Sequence, residues 1–144
     1  MTTGNSWRLR EMTLADYAEV VALWRVTEGL GLSASDERDA IGGYLAHNPG
    51  MSFVALAGDR IVGAVLAGHD GRRGCLHHLA VLPAWRRHGI GRALADASLA
   101  QLAAAGILKC NLFLFADNQS GRAFWEKLGW SARPDLAVLQ KPLA

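Results

Sequence analysis

The chain reads as an α/β (α+β) domain, a mixed, mostly antiparallel sheet of six to seven strands with four helices, splayed at its central strands. Three observations carry that expectation. Strand-like and helix-like patterning alternate along the chain in the order β-α-α-β-β-β-α-β-α-β, with one further strand left open in the tail. Three consecutive strands joined by hairpins precede a β-α-β unit; hairpins make antiparallel neighbours, whereas a crossover through a helix makes parallel ones. The stretch from Leu79 to Gly91, LAVLPAWRRHGIG, is a strand, a turn and the start of a long helix. Open sheets take their ligands beside such a loop, at the carboxyl end of a strand.

Taken in order, Trp7 to Arg10 is the first strand. Thr13 caps a helix in which Leu14, Tyr17, Val21 and Trp24 recur at helical spacing. Glu28 to Ser33, EGLGLS, is a loop. Ser35 or Asp36 starts a weaker second helix that runs to about His47, and Asn48-Pro49-Gly50 stops it. Ser52 to Ala57 and Ile61 to Ala67 are strands around the tight turn Gly58-Asp59-Arg60. A second hairpin near Asp70 to Gly74 leads into the strand Cys75 to Val81. Ile90, Ala93, Leu94, Ala97 and Gln101 mark one face of the long helix, which Gly106 closes. Lys109 to Phe115 is a strand, Asn118 to Leu128 a helix ending at Gly129, and Trp130 to Lys141 supplies one or two short strands around Pro134.

Composition narrows the function classes. At 144 residues, 51% hydrophobic and with five tryptophans, the chain is one domain spanning residues 1–144 with a substantial core, which excludes a disordered protein. The net charge is only +2, but no acid falls between Asp70 and Asp96, where Arg72, Arg73, Arg86, Arg87 and Arg92 are found. His69, His77, His78 and His88 cluster on and around the same window. Such a patch points to an anionic ligand or nucleic acid, with a solvated basic face as the plain alternative. Cys75 and Cys110 sit in apolar runs without metal-ligand spacing and read as reduced core thiols, with no metal expected. The N-terminal MTTGNSWRLREM lacks the apolar stretch of a signal peptide, and no run reaches membrane-spanning length, so a soluble cytoplasmic protein is expected.

Arg86, Gly89 and Gly91 form R-x-x-G-x-G at the opening of the long helix. Glycines there let the backbone turn tightly and approach a ligand. The first N–H groups of a helix have no partner within it, and the helix dipole favours negative charge beside them. A diphosphate suits that position. The sequence is neither G-x-G-x-x-G nor G-x-x-x-x-G-K-[ST], so the dinucleotide and P-loop readings lose their main support.

Leu79-Ala80-Val81, Pro83, the paired arginines, Gly89-Ile90-Gly91, Asn118 and FWEKLGW from Phe124 to Trp130 come in one order. That arrangement resembles the GNAT superfamily of acetyl-CoA-dependent N-acetyltransferases, over essentially the whole chain, and the strand order agrees with that family's fold. The resemblance implies acetyl-CoA as cosubstrate. Main-chain groups of the Leu79-Ala80-Val81 strand, those of Leu79 and Val81 in particular, would pair with its pantetheine arm as an added strand does. A bulge often splays this strand in the family. The N–H groups of Arg87, His88, Gly89, Ile90 and Gly91 would cradle the pyrophosphate, Arg86 and Arg87 would add charge, and Asn118 would bond the pantetheine besides capping its helix.

Acetyl transfer sets the remaining requirements. An aliphatic ammonium of pKa ~10 must lose a proton before its nitrogen attacks. The developing oxyanion needs a donor, for which the N–H of Val81 or a neighbour is aimed. A histidine suits the base, directly or through water. His77 is the first candidate: the strand CLHHLAV resembles that of the serotonin N-acetyltransferases, which place a base-like histidine at this position. His78 should face the other way unless a bulge reverses the parity. The plain alternative for both is a packed and hydrogen-bonded residue. Trp125 stands where many family members carry a tyrosine acid, seven residues after the asparagine. An indole N–H donates a hydrogen bond but is no acid near neutrality, so Trp125 would orient the sulfur or wall the tunnel.

The acceptor would be a small-molecule amine or a peptide. Trp24, Glu28, His69 and Asp70 are the candidates to line its pocket, with core packing the alternative for Trp24 and a solvated loop position for Glu28. No acyl-carrying residue is evident, which favours direct attack in a ternary complex. Two rivals remain, a CoA-binding regulatory domain without turnover and a nucleic-acid module; the latter lacks aromatics interleaved with its arginines beyond Trp85. Neither nucleic acid nor membrane is expected as a partner, and a homodimer is left open.

Overall fold

The computed structural model describes residues 6–143; residues 1–5, where the stretch read as lacking a signal peptide begins, and residue 144 lie outside the described residues. Contacts divide the chain into two compact units, Met1–Phe113 and Leu114–Ala144. The first holds β1 (Arg8–Glu11), α1 (Tyr17–Arg25), α2 (Arg38–His47), β2 (Phe53–Ala57), β3 (Arg60–His69), β4 (Gly74–Val81), α3 (Ile90–Ala104) and β5 (Cys110–Leu112). The second holds α4 (Gln119–Lys127).

The strands lie in chain order, β1-β2-β3-β4-β5. The first three pairings are antiparallel and β4–β5 is parallel, because α3 carries the chain back between them. Five strands therefore form among the described residues, not six to seven. The tail from Trp130 to Lys141 contributes none, and β5 covers only Cys110–Leu112 of the expected Lys109 to Phe115. Leu136, Val138 and Leu139 are exposed, and strand propensity counts only where side chains pack.

The helices start differently from the expectation. Thr13 opens a 3-10 turn (Leu14–Asp16) before α1, with the Thr13 N–H donating to Asp16 Oδ2 at 2.9 Å. Ser33, not Ser35 or Asp36, caps the second such turn (Ala34–Asp36), its Oγ accepting from the Ser35 N–H, and α2 begins only at Arg38. That places Asp36 inside a tight turn, where its carboxylate returns to the Ser33 N–H at 3.0 Å. On α3 the buried stripe runs Ile90, Leu94, Ala95, Ser98 and Leu102, passing beside the expected Ala97 and Gln101. Ser98 can be buried because its hydroxyl donates to the Met51 carbonyl at 2.7 Å.

Neighbouring residues of β3 show the two faces of the sheet. Ala64 and Leu66 join Val20, Val21, Leu23, Trp24 and Ile41 of α1 and α2 in one core. Gly63 faces the other way, where an added Cβ would lie 3.0 Å from Ile90 and 3.1 Å from Leu94 of α3. Helices α1 and α2 thus cover one face and α3 the other. Opposite Ala64 and Leu66 stand Ala80 and His77, so His78 and Leu79 together oppose Val65 alone. This is a β-bulge, and His78 sits in it at φ 54°.

In the second unit, Asn118 caps α4 by accepting the Gly121 N–H at 2.9 Å. Gly129 closes the helix at φ 97°. Trp125 is buried, with the rings of Phe124 and Trp130 at 5.1 and 5.2 Å.

Candidate active site

Strand β4 outruns its parallel neighbour. Pairing with β5 starts at Gly74↔Cys110 and ends at Leu76↔Leu112, while β4 continues to Val81. From His77 onward that side of the strand has no strand partner among the described residues. The direction of each main-chain group follows from the ladder. The Leu82 N–H donates to the Val62 carbonyl at 2.8 Å, so alternation turns the groups of Ala80 toward Ala64 and those of Val81 away from β3. Ala80 therefore does not present main-chain groups to the open side, contrary to the expectation, and its side chain joins the core. Val81 does present them, but its carbonyl accepts from Arg86 Nε at 3.1 Å, leaving the N–H free of that bond. A 3-10 turn, Pro83–Trp85, brings Arg86 back to make the contact.

After that turn the backbone enters the left-handed region twice, at Arg87 (φ 66°) and Gly89 (φ 80°), and α3 begins at Ile90. Alternating handedness aims successive N–H groups into one concavity, and the unpaired amides of the helix end add to it. A Cβ built on Gly89 meets nothing within 4 Å, so the space beside the turn is open. His88 Nδ1 lies 2.9 Å from the Arg86 carbonyl and its ring 5.7 Å from Trp85, which steadies the loop. Residues Arg86 to Gly91 thus line one turn at the start of α3.

The bulge decides how the two histidines stand. In a regular strand His77 and His78 would face opposite sides. Here both lie on the side of α1 and α2, with ring centroids 6.3 Å apart. His77 packs edge-on against Tyr44 at 5.9 Å and near Phe113 at 6.4 Å. Burial first, and the neighbouring His78 second, hold His77 below the usual histidine value, against an opposing pull from Asp36. His78 lies against Trp24 at 4.9 Å and places Nε2 2.8 Å from Asp36 Oδ1. A carboxylate only accepts, so Nε2 carries the hydrogen and Nδ1 is the ring nitrogen the carboxylate does not hold. Asp36 is itself 9% exposed, whereas the His78 side chain keeps 19% of its surface open.

Asp36 was missed as a site residue. Its local signal, an acid in a capping turn, announces a helix start and says nothing of a partner 42 residues away. Tyr44 was missed also; burial pushes its phenol above the ordinary value.

The expected acceptor residues fare unevenly. Trp24 is fully buried, which is the core alternative, and it supports His78 from beneath instead of facing a pocket. Glu28 is exposed in the loop after α1. Asp70 serves its own hairpin, accepting the N–H groups of Arg72 and Arg73 at 2.8 Å each; those bonds hold its carboxyl below the usual range. His69 accepts the Gly71 N–H at 3.0 Å in the same turn. Both therefore make bonds within the hairpin turn. Asn118 and Trp125 belong to the second unit and stand as described above. Among the described residues no group of three or more His, Cys, Asp or Glu could hold a metal ion, and no helix is long and apolar enough to cross a membrane.

A strand freed on one side, a bulge within it and a left-handed turn into a helix together define the class of fold. Residues 17–130 match the model of the acetyltransferase (GNAT) family, and the chain belongs to that family. An acetyltransferase from Sodalis glossinidius is 34% identical over 128 residues, 89% of each chain. Among solved structures, PaiA N-acetyltransferase from Thermoplasma acidophilum in complex with coenzyme A has TM-score 0.77 at 16% identity, over 89% of this chain and 91% of that one. An aminoglycoside acetyltransferase from an uncultured soil metagenomic sample, in complex with sisomicin, has TM-score 0.73 at 18% identity, over 97% and 98%. These two are likenesses of fold.

Proposed function

We propose that this acetyltransferase moves the acetyl group of acetyl-CoA to a primary amine of a small molecule or peptide, by direct attack in a ternary complex. The observation that carries the reading is the continuity of β4: main-chain groups freed beyond Leu76 lead, through the bulge, to the turn and amides at the start of α3. An extended pantetheine arm fits the first part and a pyrophosphate the second. The match in chemistry is specific, since the arm offers amide groups to a strand edge and the diphosphate offers charge to unpaired N–H groups. The acid-free window from Gly71 to Ala95 removes repulsion where the anion would sit.

The chain's own groups then divide the work. The amides of Arg87 to Gly91 hold the anionic end, with Arg86 and Arg87 adding attraction. The Val81 N–H faces the open side and suits the developing oxyanion. An imidazole at the bulge takes the ammonium proton. The indole of Trp125 is no acid near neutrality, so the departing thiolate takes its proton from the product nitrogen or solvent. The complexes of structurally similar proteins with coenzyme A and with sisomicin favour this cosubstrate and a small amine as acceptor.

The test pairs calorimetry with turnover. Gly89→Glu places a carboxylate in the open space beside the turn and should abolish acetyl-CoA binding while the variant stays folded. Unchanged affinity would overturn the assignment of the anion site. Acetyl-CoA with a panel of amines, amino acids and peptides should release CoA with at least one acceptor. Tight binding without release across the panel would leave a regulatory CoA-binding domain.

A further inference from the structure

Resting on the acetyl-transfer reading, we infer that His78 Nδ1 is the atom that accepts the amine proton, and that Asp36 is the positioning residue that holds His78 for it. The geometry is a carboxylate–imidazole pair. Asp36 Oδ1 lies 2.8 Å from Nε2, and Oδ2 is pinned by the Ser33 N–H at 3.0 Å. The Asp36 carbonyl in turn accepts from the Tyr17 hydroxyl at 2.7 Å, so the carboxylate stands on a fixed turn. The bulge at His78, with its left-handed φ of 54°, is what turns this ring onto the side of α1 and α2. Backbone strain of this kind persists only where surroundings hold it, and it gathers at functional positions.

Two features separate His78 from His77. The charged and titratable groups facing His78 are Asp36 from the turn before α2 and His77 from its own strand, and Trp24 of α1 supports the ring at 4.9 Å. Among the described residues no carboxylate lies at hydrogen-bond distance from His77, and its neighbours include Tyr44, Phe113 and Cys75, whose sulfur lies 4.0 Å from Nδ1. An adjacent carboxylate fixes the tautomer and stabilises the imidazolium, as in the acid–base pairs of hydrolases. In the step, Nδ1 takes one proton from R–NH3+. The nitrogen lone pair then forms the C–N bond as the C–S bond breaks, and the electron pair leaves on sulfur. The second nitrogen proton neutralises the thiolate, and His78 returns its own to solvent.

Asp36→Asn provides the test. The Asn oxygen keeps the Ser33 bond and turns the NH2 toward Nε2, which drives the hydrogen onto Nδ1 and blocks the base. The rate should fall by roughly a hundredfold or more. Affinity for acetyl-CoA should hold. His78→Asn, chosen because asparagine tolerates the left-handed region, should remove the acid limb of kcat/KM, and His77→Gln should retain it. An undiminished rate in Asp36→Asn, or a limb that disappears with His77, overturns the inference. Nitrogen NMR of the His78 ring without any acceptor gives an independent reading. The hydrogen should sit on Nε2 in the unaltered protein and on Nδ1 in Asp36→Asn, and the same tautomer in both would also overturn the pair. If no amine is acetylated by the unaltered protein, the acetyl-transfer reading fails while the ring nitrogens still judge the dyad.

Discussion

Asp16 joins the first strand to the first helix. Arg10 Nη1 and Nη2 each donate to its carboxylate at 2.8 Å, and the Thr13 N–H adds a third bond. The Arg10 bond first, with help from Thr13, holds its carboxyl below the usual aspartate value against the cost of burial. A carboxylate depressed in the folded state stabilises above its unfolded pKa, about 3.9, and loses that contribution as pH falls through the folded value. Asp16→Asn should therefore cost about 1–2 kcal/mol at pH 7 and less below pH 4, read from urea unfolding at the two pH values. Equal losses at both would refute the linkage. The thiols make a second point at this scale. Burial pushes Cys75 and Cys110 up to about 11, so both stay protonated near neutrality and neither is a ready acyl carrier. Mass spectrometry after acetyl-CoA alone should find no acetyl-enzyme, and Cys75→Ala with Cys110→Ala should keep turnover.

At the scale of elements, the start of α3 is seated by a missing side chain. Ile90 and Leu94 pack against the hydrogen of Gly63, where a Cβ would stand 3.0 and 3.1 Å away. Gly63→Val should lift the helix end that follows the anion-holding turn. Acetyl-CoA affinity should fall about tenfold, with stability lower by about 1–3 kcal/mol from overpacking. Calorimetry and thermal unfolding would check the two effects, and unchanged binding would show that the turn is held without α3. In α4, Trp125 packs between Phe124 and Trp130. Trp125→Tyr leaves a smaller ring there and should lower stability by about 1–2 kcal/mol, with no new basic limb in the pH profile.

For the whole molecule the informative quantity is the distribution of charge, not its sum. A net +2 exerts little field, but a run of 25 residues, 71–95, holds five arginines and no acid. Affinity for acetyl-CoA should fall as ionic strength rises from 0.01 to 0.5 M, since the Debye length shrinks from about 30 Å to a few ångströms over that range. Arg86→Gln should flatten that dependence when binding is titrated across the salt series. A salt-independent affinity would remove the basic window from the account.

Much was legible before any coordinates. Periodicity located four helices and the first five strands within a few residues, because each depends on neighbours close in the chain. The turn at Gly89 was legible for the same reason, and the family resemblance lay in residues from Leu79 to Trp130. What failed was non-local. The tail has the composition of strands, yet a strand exists only where an edge accepts it. Ser98 reads as polar until the Met51 carbonyl, 47 residues away, takes its hydroxyl. The facing of His78 hangs on an extra residue between β3 and β4, a mismatch of two registers that neither strand reveals alone. Asp36 became a candidate only when folding brought its carboxylate to that ring. The amino-acid sequence by itself thus determined most of the elements, the family and the glycine turn before α3, all built from local contacts. Tertiary structure alone decided which imidazole gains a carboxylate, because that pairing is created by long-range packing.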